Sequence, residues 1–358
     1  MPLQFMVDIE NTELSKLECT ILKQPNVGAV ILFTRNFENP EQLQKLINEI
    51  HTINPDLFIA VDHEGGNVQR FQRQGFSSIP AARSYGRVYD LNHEVGMAHA
   101  KDYGKIMAHE LLAYGIDLSL APILDVHGNS KVIAGLDRAF HTNPDAIVEL
   151  AGAFIEGMEL AGMPAVGKHY PGHGSVVSDS HIAMPISTST LEELMVNDLK
   201  PFIELINKNL LTAVMPAYVT YQKIDPENPA GFSKTWLQDI LRTQLGFKGL
   251  VISDCLSMKG ADIGNLTTRA ERALEAGCDM LIVCHQPREL LLELVQNLAV
   301  KQTAVSVERI LAFKKLMPRF SQNKIVTYSP HAFYESIVEE TDSAAPSEYQ
   351  SFNRTTSV

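Results

Sequence analysis

The sequence has little cysteine, no basic tract and no long hydrophobic run. Its 358 residues contain four scattered cysteines without a C-x-x-C pair, a pattern that favours free thiols in a reducing compartment. The formal net charge of −12 argues against non-specific binding to nucleic acid. No apolar run approaches the roughly 20 residues of a membrane-spanning helix, and the first ten residues lack the basic segment of a signal peptide. We therefore expect a cytoplasmic protein that binds neither nucleic acid nor a membrane.

Cofactor motifs are also missing. No G-x-G-x-x-G follows the first apolar run, which argues against a dinucleotide site. The histidines at positions 63, 169, 173 and 181 suggest a metal centre, but neither H-E-x-x-H nor an H-x-H on the first predicted strand is present. Lys168, next to His169, would also repel a cation. We expect no metal and no other cofactor.

What the sequence does contain is a regular alternation of short apolar runs and longer amphipathic segments. The runs are almost continuously hydrophobic, which is typical of strands buried on both faces. They are Phe5–Ile9, Val27–Phe33, Leu57–Val61, Ile116–Leu124, Met163–Val166, Leu211–Met215, Gly249–Ile252 and Met280–Cys284. Helical patterns are predicted at Pro40–His51, Val95–Tyr114, Pro144–Ala161, Leu191–Asn207, Lys234–Leu245, Thr267–Ala276, Arg288–Leu298 and Val307–Leu316.

About eight strand–helix repeats predict an α/β fold of the TIM-type (β/α)8 barrel class. An open doubly wound sheet has the same alternation, but the count and the missing glycine motif favour the barrel. Residues 1–338 are expected to form one catalytic domain. Residues 339–358 are rich in Ser, Thr, Glu and Asp and poor in apolar residues, so they are predicted to form a poorly ordered tail.

Polar residues follow almost every predicted strand. Lys168 and His169 follow the fifth run, and Asp254 follows the seventh. In a closed barrel the carboxyl ends of the strands converge on one face, where barrel enzymes place their active sites. A carboxylate such as Asp254, held on a rigid strand, suits a nucleophile or a general base, although an N-cap before Leu256 is an alternative.

Two further groups of residues suggest chemistry. Asp179 and His181 lie two apart in a Gly-rich segment, where the carboxylate would raise the pKa of the imidazole towards neutrality; a D-x-H pair alone is a weak motif. Five other side chains offer charge-assisted hydrogen bonds to sugar hydroxyls, and their cations would equally suit a phosphate. They are Asp62, Arg70, Arg138, Lys168 and His169.

Taken together, these segments resemble the family 3 glycoside hydrolases, specifically the bacterial cytoplasmic β-N-acetylhexosaminidases of peptidoglycan recycling. The resemblance runs in order from about residue 1 to residue 320. It is carried by Val27-Gly-Ala-Val-Ile-Leu-Phe-Thr-Arg-Asn36, Ala60-Val-Asp-His-Glu-Gly-Gly-Asn-Val-Gln-Arg70, Ala121-Pro-Ile-Leu-Asp-Val126, Gly167-Lys-His-Tyr-Pro-Gly-His-Gly174, Asp179-Ser-His181, Met215-Pro-Ala217 and Ser253-Asp-Cys-Leu-Ser-Met258.

The resemblance implies a role for each matching residue. Asp254 matches the nucleophile, His181 the general acid/base and Asp179 its partner. The residues that match the sugar-holding positions are Asp62, Arg70, Arg138, Lys168 and His169. The chain departs from the pattern at Cys255, where a second Asp is usual, at Ala139 in place of Ser, and at Tyr170 in place of Phe.

The implied reaction is the retaining hydrolysis of a terminal non-reducing β-linked N-acetylglucosamine, with a muropeptide carrying anhydro-N-acetylmuramic acid as the implied substrate. A phosphorylase on the same scaffold is one alternative, because a histidine acid/base would not repel an incoming phosphate. A non-catalytic sugar-binding barrel is the other. Apart from this small-molecule saccharide substrate, no partner is expected.

Overall fold

The computed structural model of the chain describes residues 3–174, 176, 185–299 and 302–321. Asp179, His181 and the predicted tail at 339–358 lie outside the described residues.

Eight parallel strands form the barrel. They are β1 (Phe5–Asp8), β2 (Val27–Leu32), β3 (Phe58–Val61), β4 (Leu118–Ser119), β5 (Val166–Tyr170), β6 (Ala213–Pro216), β7 (Leu250–Cys255) and β8 (Met280–Val283). Neighbours in the chain are neighbours in the sheet, and β8 pairs with β1. The sheet closes where the chain after β4 meets β5: Val166 N donates to Ala121 O at 2.8 Å, and Leu124 N donates to Lys168 O at 2.6 Å. The predicted barrel class is thus confirmed.

Most helices lie between successive strands, and the last two follow β8. They are Lys16–Leu22, Pro40–Ile53, Ala82–Leu91, His93–Ala113, Pro144–Ala161, Leu191–Val196, Lys200–Asn207, Leu266–Ala276, Arg288–Asn297 and Ala304–Lys314, with a π-helical segment at Thr235–Gln244. Their starts follow ordinary capping chemistry. The Ser15 hydroxyl accepts from Glu18 N at 3.2 Å while the Glu18 carboxylate accepts from Ser15 N at 2.8 Å, so two N–H groups that the helix leaves free are satisfied.

Alternate residues of each strand belong to two apolar layers. Met6 and Ile31 lie in a cluster that contains residues of all eight strands and therefore fills the barrel. Val7 and Val30 point the other way and pack in a larger cluster with the surrounding helices. Successive side chains of a strand point to opposite faces, so a strand that is buried on both faces contributes alternate residues to the two layers. Each fully buried aliphatic side chain contributes roughly 1.5–3 kcal/mol, so both layers hold the strand ends in place.

Several boundaries differ from the sequence prediction. Strand β5 was expected to end at Val166 but continues to Tyr170, because its residues remain paired with β6 even where they are charged. The single helix predicted at Leu191–Asn207 is two helices, and Pro201 near the start of the second explains the break, since proline cannot continue a helix from within. The helices Lys16–Leu22 and Ala82–Leu91 were not predicted.

No helix within the described ranges combines the length and the apolar character that crossing a membrane requires.

Candidate active site

A cavity of about 720 Å³ opens at the carboxyl ends of the barrel strands. Six of the eight predicted site residues line it: Asp62, Arg70, Arg138, Lys168, His169 and Asp254. The other two, Asp179 and His181, lie outside the described residues. The barrel therefore brings together residues that are separated by up to 192 positions in the chain, from Asp62 to Asp254.

Irregular strand pairing aims consecutive side chains into this cavity. The register of β5 against β6 shifts between Lys168 and Tyr170, and that of β7 against β8 shifts between Ile252 and Cys255. Regular pleating would send consecutive residues to opposite faces, whereas a bulge re-aims them. As a result, Lys168 and His169 both line the cavity, as do Asp254 and Cys255.

Lys168 is the buried centre of an ion network. Its ammonium contacts Asp62 Oδ1 at 2.8 Å and Glu64 Oε1 at 2.6 Å, and its side chain is only 2% exposed. Burial alone would lower the pKa of Lys168, but the two carboxylates outweigh it and the pKa is raised. Lys168 therefore stays charged and remains a hydrogen-bond donor in the cavity.

Glu64 was not predicted as a site residue, yet it connects two strand ends. The Arg138 guanidinium donates two parallel hydrogen bonds to the Glu64 carboxylate, from Nε to Oε2 and from Nη2 to Oε1, both at 2.8 Å. Burial alone would raise the pKa of Glu64, but Arg138 and Lys168 hold it well below its usual range. Bidentate arginine–carboxylate pairs fix orientation as well as charge. Glu64 therefore holds the guanidinium of Arg138, which lines the cavity, in one orientation.

Asp62 and Arg70 form the more exposed edge of the same network. Arg70 Nη2 lies 3.5 Å from Asp62 Oδ2, and both side chains keep more than a fifth of their surface exposed. Burial would raise the pKa of Asp62, but Lys168 and Arg70 outweigh it and lower the pKa. Asp62 thus remains an acceptor beside two donors, an arrangement suited to a pair of vicinal hydroxyls.

A second buried carboxylate, Asp125, orients the histidines. Its Oδ2 lies 2.7 Å from His169 Nδ1, and its Oδ1 accepts from His173 N at 2.7 Å. Because Nδ1 is engaged in this way, Nε2 of His169 is directed to the other side of the ring, where the cavity lies. The ring of His173 also lines the cavity, and its buried Nε2 finds no hydrogen-bond partner among the described residues.

Asp254 lies on β7 itself, half-buried and facing the cavity. Its Oδ1 accepts from Cys255 N at 2.7 Å, and the Tyr218 hydroxyl donates to its backbone carbonyl at 2.9 Å. The alternative that Asp254 caps a helix is wrong, because the next helical turn, Lys259–Ala261, is preceded by Met258. One carboxylate oxygen of Asp254 is therefore held by the backbone.

Within the described residues, no three histidine, cysteine or acidic side chains come together as ligands for a metal ion. The cavity instead combines paired cations, fixed acceptors and one carboxylate without a cationic partner among the described contacts. This arrangement can hold a polyhydroxylated ring and offer it a nucleophile.

Comparisons with known proteins agree with this chemistry. The profile of the glycosyl hydrolase family 3 N-terminal domain matches residues 5–313. The chain is 50% identical over 287 residues to a β-hexosaminidase of Thioalkalivibrio sulfidiphilus, covering 79% of this chain and 81% of that protein. It is 52% identical over 281 residues to a β-hexosaminidase of Shewanella frigidimarina, with coverage of 78% and 81%.

A solved structure extends the likeness to the fold. NagZ from Neisseria gonorrhoeae in complex with N-trifluoroacetyl-D-glucosamine superposes with a TM-score of 0.85 at 38% sequence identity, covering 95% of this chain and 96% of that chain. A family 3 β-N-acetylglucosaminidase from Paenibacillus superposes with a TM-score of 0.81 at 29% identity, covering 90% and 63%.

Proposed function

From the finding that the chain belongs to glycosyl hydrolase family 3 and is a glycosidase of the β-hexosaminidase type, we propose that it removes terminal, non-reducing β-linked N-acetylglucosamine with retention of anomeric configuration. The observation that supports the proposal is the position of Asp254, a carboxylate held by the backbone N–H of Cys255 in a cavity that is also lined by Asp62, Arg70, Arg138, Lys168 and His169.

In the first step, Asp254 attacks the anomeric carbon while the bond to the leaving oxygen breaks. A covalent glycosyl-enzyme forms, and water then releases the sugar in a second displacement. Two inversions at one carbon return the starting configuration. The backbone N–H of Cys255 fixes Oδ1 of Asp254, which leaves Oδ2 as the attacking atom.

His181 and Asp179 are assigned the proton transfers. Protonated His181, supported by the negative charge of Asp179, donates to the leaving oxygen and afterwards accepts a proton from the attacking water. Both residues lie outside the described residues, and their roles rest on the resemblance of Asp179-Ser-His181 to the motif of the family.

The sugar-holding roles fall to the network around Lys168. Asp62, Arg70, Arg138, Lys168 and His169 are proposed to bind the N-acetylglucosamine unit, with Glu64 and Asp125 as positioning residues behind them. The ion pairs of the network hold these side chains in place, so little reorganisation is needed on binding.

The natural substrate is proposed to be a muropeptide that carries anhydro-N-acetylmuramic acid, and the site of action to be the cytoplasm, where cell-wall fragments are recycled. This part of the proposal rests on the family resemblance.

The phosphorylase alternative is less well supported by the charges of the cavity. The lining cations all have carboxylate partners among the described residues: Arg70 with Asp62, Arg138 with Glu64, Lys168 with both, and Lys259 with Asp262. A phosphate would have to compete with these carboxylates, whereas water and hydroxyl groups would not.

A product analysis tests the proposal. The enzyme is incubated with a chromogenic β-N-acetylglucosaminide, with and without inorganic phosphate, and the first product is followed by proton NMR. We expect the β-anomer of free N-acetylglucosamine in both cases. A first-formed α-anomer would contradict retention, and N-acetylglucosamine 1-phosphate as the main product would establish phosphorolysis.

Replacing His181 with alanine should slow the enzyme by a factor that depends on the leaving group. General acid catalysis contributes about 10²–10⁴-fold, and a poor leaving group needs all of it for bond cleavage. We therefore expect a much larger loss of kcat/KM for a natural disaccharide than for a nitrophenyl glycoside, measured on the same preparation. An equal loss for both substrates would show that His181 does not protonate the leaving oxygen.

A further inference from the structure

A single peptide unit connects the carboxylate of Asp254 to a buried tyrosine. The unit lies between Asp254 and Cys255, in the stretch where the register of β7 against β8 shifts. Its N–H, from Cys255, donates to Asp254 Oδ1 at 2.7 Å. Its carbonyl oxygen, from Asp254, accepts from the hydroxyl of Tyr218 at 2.9 Å.

These two hydrogen bonds are mechanically linked. A peptide unit is planar, so its N–H and its carbonyl cannot turn independently of each other. When the Tyr218 hydroxyl holds the carbonyl, it also fixes the direction of the N–H that holds the Asp254 carboxylate. Polarisation along the chain of hydrogen bonds strengthens both of them in the same sense.

Tyr218 is itself held in place by its neighbours. It is 1% exposed, and its ring stacks on that of Phe232 with the ring centroids 4.9 Å apart and the planes at 21°. Gly231 leaves room for the ring, since a Cβ there would lie 2.7 Å from Tyr218 Cε1, much closer than carbon atoms pack. Burial raises the pKa of the Tyr218 hydroxyl well above its ordinary value, so the hydroxyl keeps the proton that it donates.

Tyr218 acts from outside the cavity. It is not among the described residues that line the cavity, whereas Asp254 and Cys255 are. The residues proposed to hold the sugar come from β3, from β5 and from the segments that follow β3 and β4. Removing the Tyr218 hydroxyl therefore changes the support of Asp254 and leaves the proposed sugar contacts in place.

We propose that Tyr218 is a positioning residue for the nucleophile: it holds the peptide unit behind Asp254 so that the carboxylate is aimed at the anomeric carbon. The inference rests on the proposed function, in which Asp254 attacks that carbon. The contribution of Tyr218 falls on the rate of attack and not on the affinity for sugar.

The test compares Tyr218→Phe with the unaltered chain in two measurements. The first is the maximal rate at which a fluorinated N-acetylglucosamine analogue labels Asp254, followed by mass spectrometry, because labelling requires the attack itself. The second is the concentration of free N-acetylglucosamine that protects half of the protein from labelling, which reports sugar binding.

We expect labelling of Tyr218→Phe to be slower by about tenfold to a hundredfold, since a misplacement of about 1 Å can cost about a hundredfold in rate. The protecting concentration of N-acetylglucosamine should stay within about twofold, because an interaction that acts on the attack alone does not change ground-state binding.

Tyr170→Phe is the matched control. The Tyr170 hydroxyl is also buried and also donates to a backbone carbonyl, that of Trp236, at 3.2 Å. Neither residue is among the described residues that line the cavity. This variant loses the same kind of hydrogen bond and should unfold at a temperature close to that of Tyr218→Phe, but it should be labelled as fast as the unaltered chain.

A normal labelling rate for Tyr218→Phe would overturn the proposal, and so would an equal slowing of Tyr170→Phe, because the bond would then contribute only to stability. Weaker protection of Tyr218→Phe by N-acetylglucosamine at an unchanged labelling rate would also overturn it. A failure of the proposed function has a different signature: the unaltered chain itself would not be labelled on Asp254, and the inference would fall with it.

Discussion

Replacing Asp254 with asparagine should abolish turnover for every leaving group. The amide is isosteric, and its oxygen can still accept from Cys255 N, so the cavity is preserved. It cannot form the glycosyl ester, which is a step common to all substrates. We expect kcat to fall by about 10⁴-fold or more, the scale of loss when an enzymatic nucleophile is removed.

Asp239→Asn makes the same change at an exposed position of the segment Thr235–Gln244 and should retain activity. Both variants should unfold at temperatures close to that of the unaltered chain. A normal rate for Asp254→Asn would refute the assignment of the nucleophile.

A fluorinated N-acetylglucosamine analogue that slows the second displacement should confirm the same residue by a different route. The sugar should remain on the peptide that contains Ser253 and Asp254. A label on another peptide would transfer the nucleophilic role to a residue there.

Replacing Glu64 with glutamine should lower the free energy of unfolding by several kcal/mol. The Glu64 side chain is 7% exposed and neutralises Arg138, which is 11% exposed, and Lys168, which is 2% exposed. Removing one partner of a buried ion pair costs about 3–5 kcal/mol, because the remaining charge lacks compensation. Denaturant unfolding should therefore show a lower midpoint. Glu13→Gln breaks an exposed pair with Lys45, in which both side chains are more than 70% exposed, and should change the free energy by less than about 1 kcal/mol.

The pH dependence of unfolding provides a second measurement on the same variants. The pKa of Glu64 is lower in the folded chain than its ordinary value of 4.5. A depressed carboxyl pKa stabilises the fold fully above the unfolded value, and that contribution is lost as the pH falls from there towards the folded value. The unfolding free energy of Glu64→Gln should thus fall less steeply below about pH 5 than that of the unaltered chain. Parallel curves would show that folding does not lower the pKa of Glu64.

The barrel could be predicted because its strands are buried on both faces. All eight apolar runs correspond to strands, and the period of the helices between them is strong. The short helix at Lys16–Leu22 was missed because it buries only Glu18, Ile21 and Leu22, too few residues to show a helical period. The ends of β5 and β7 were placed too early because charged residues usually mark a loop, whereas here they continue the strand into the cavity.

The candidate site was predicted less completely. Six residues that line the cavity could be predicted because strand ends in a barrel meet at one face and because the motifs resemble those of a known family. Glu64 and Asp125 were passed over, since their function is visible only through their partners. Glu64 contacts Arg138 and Asp125 contacts His169, at separations of 74 and 44 residues. No local sequence pattern indicates pairs at such separations.

The bidentate contact between Glu64 and Arg138 also limits how the enzyme can diverge. A neutral residue at position 64 removes the carboxylate from the Arg138 guanidinium, and a neutral residue at position 138 leaves the Glu64 carboxylate with Lys168 as its cation. Either change alone passes through an unstable intermediate, although the two positions are encoded far apart. Substitutions at the two positions are therefore expected to be energetically coupled, so that a change at one is tolerated best when the other changes with it.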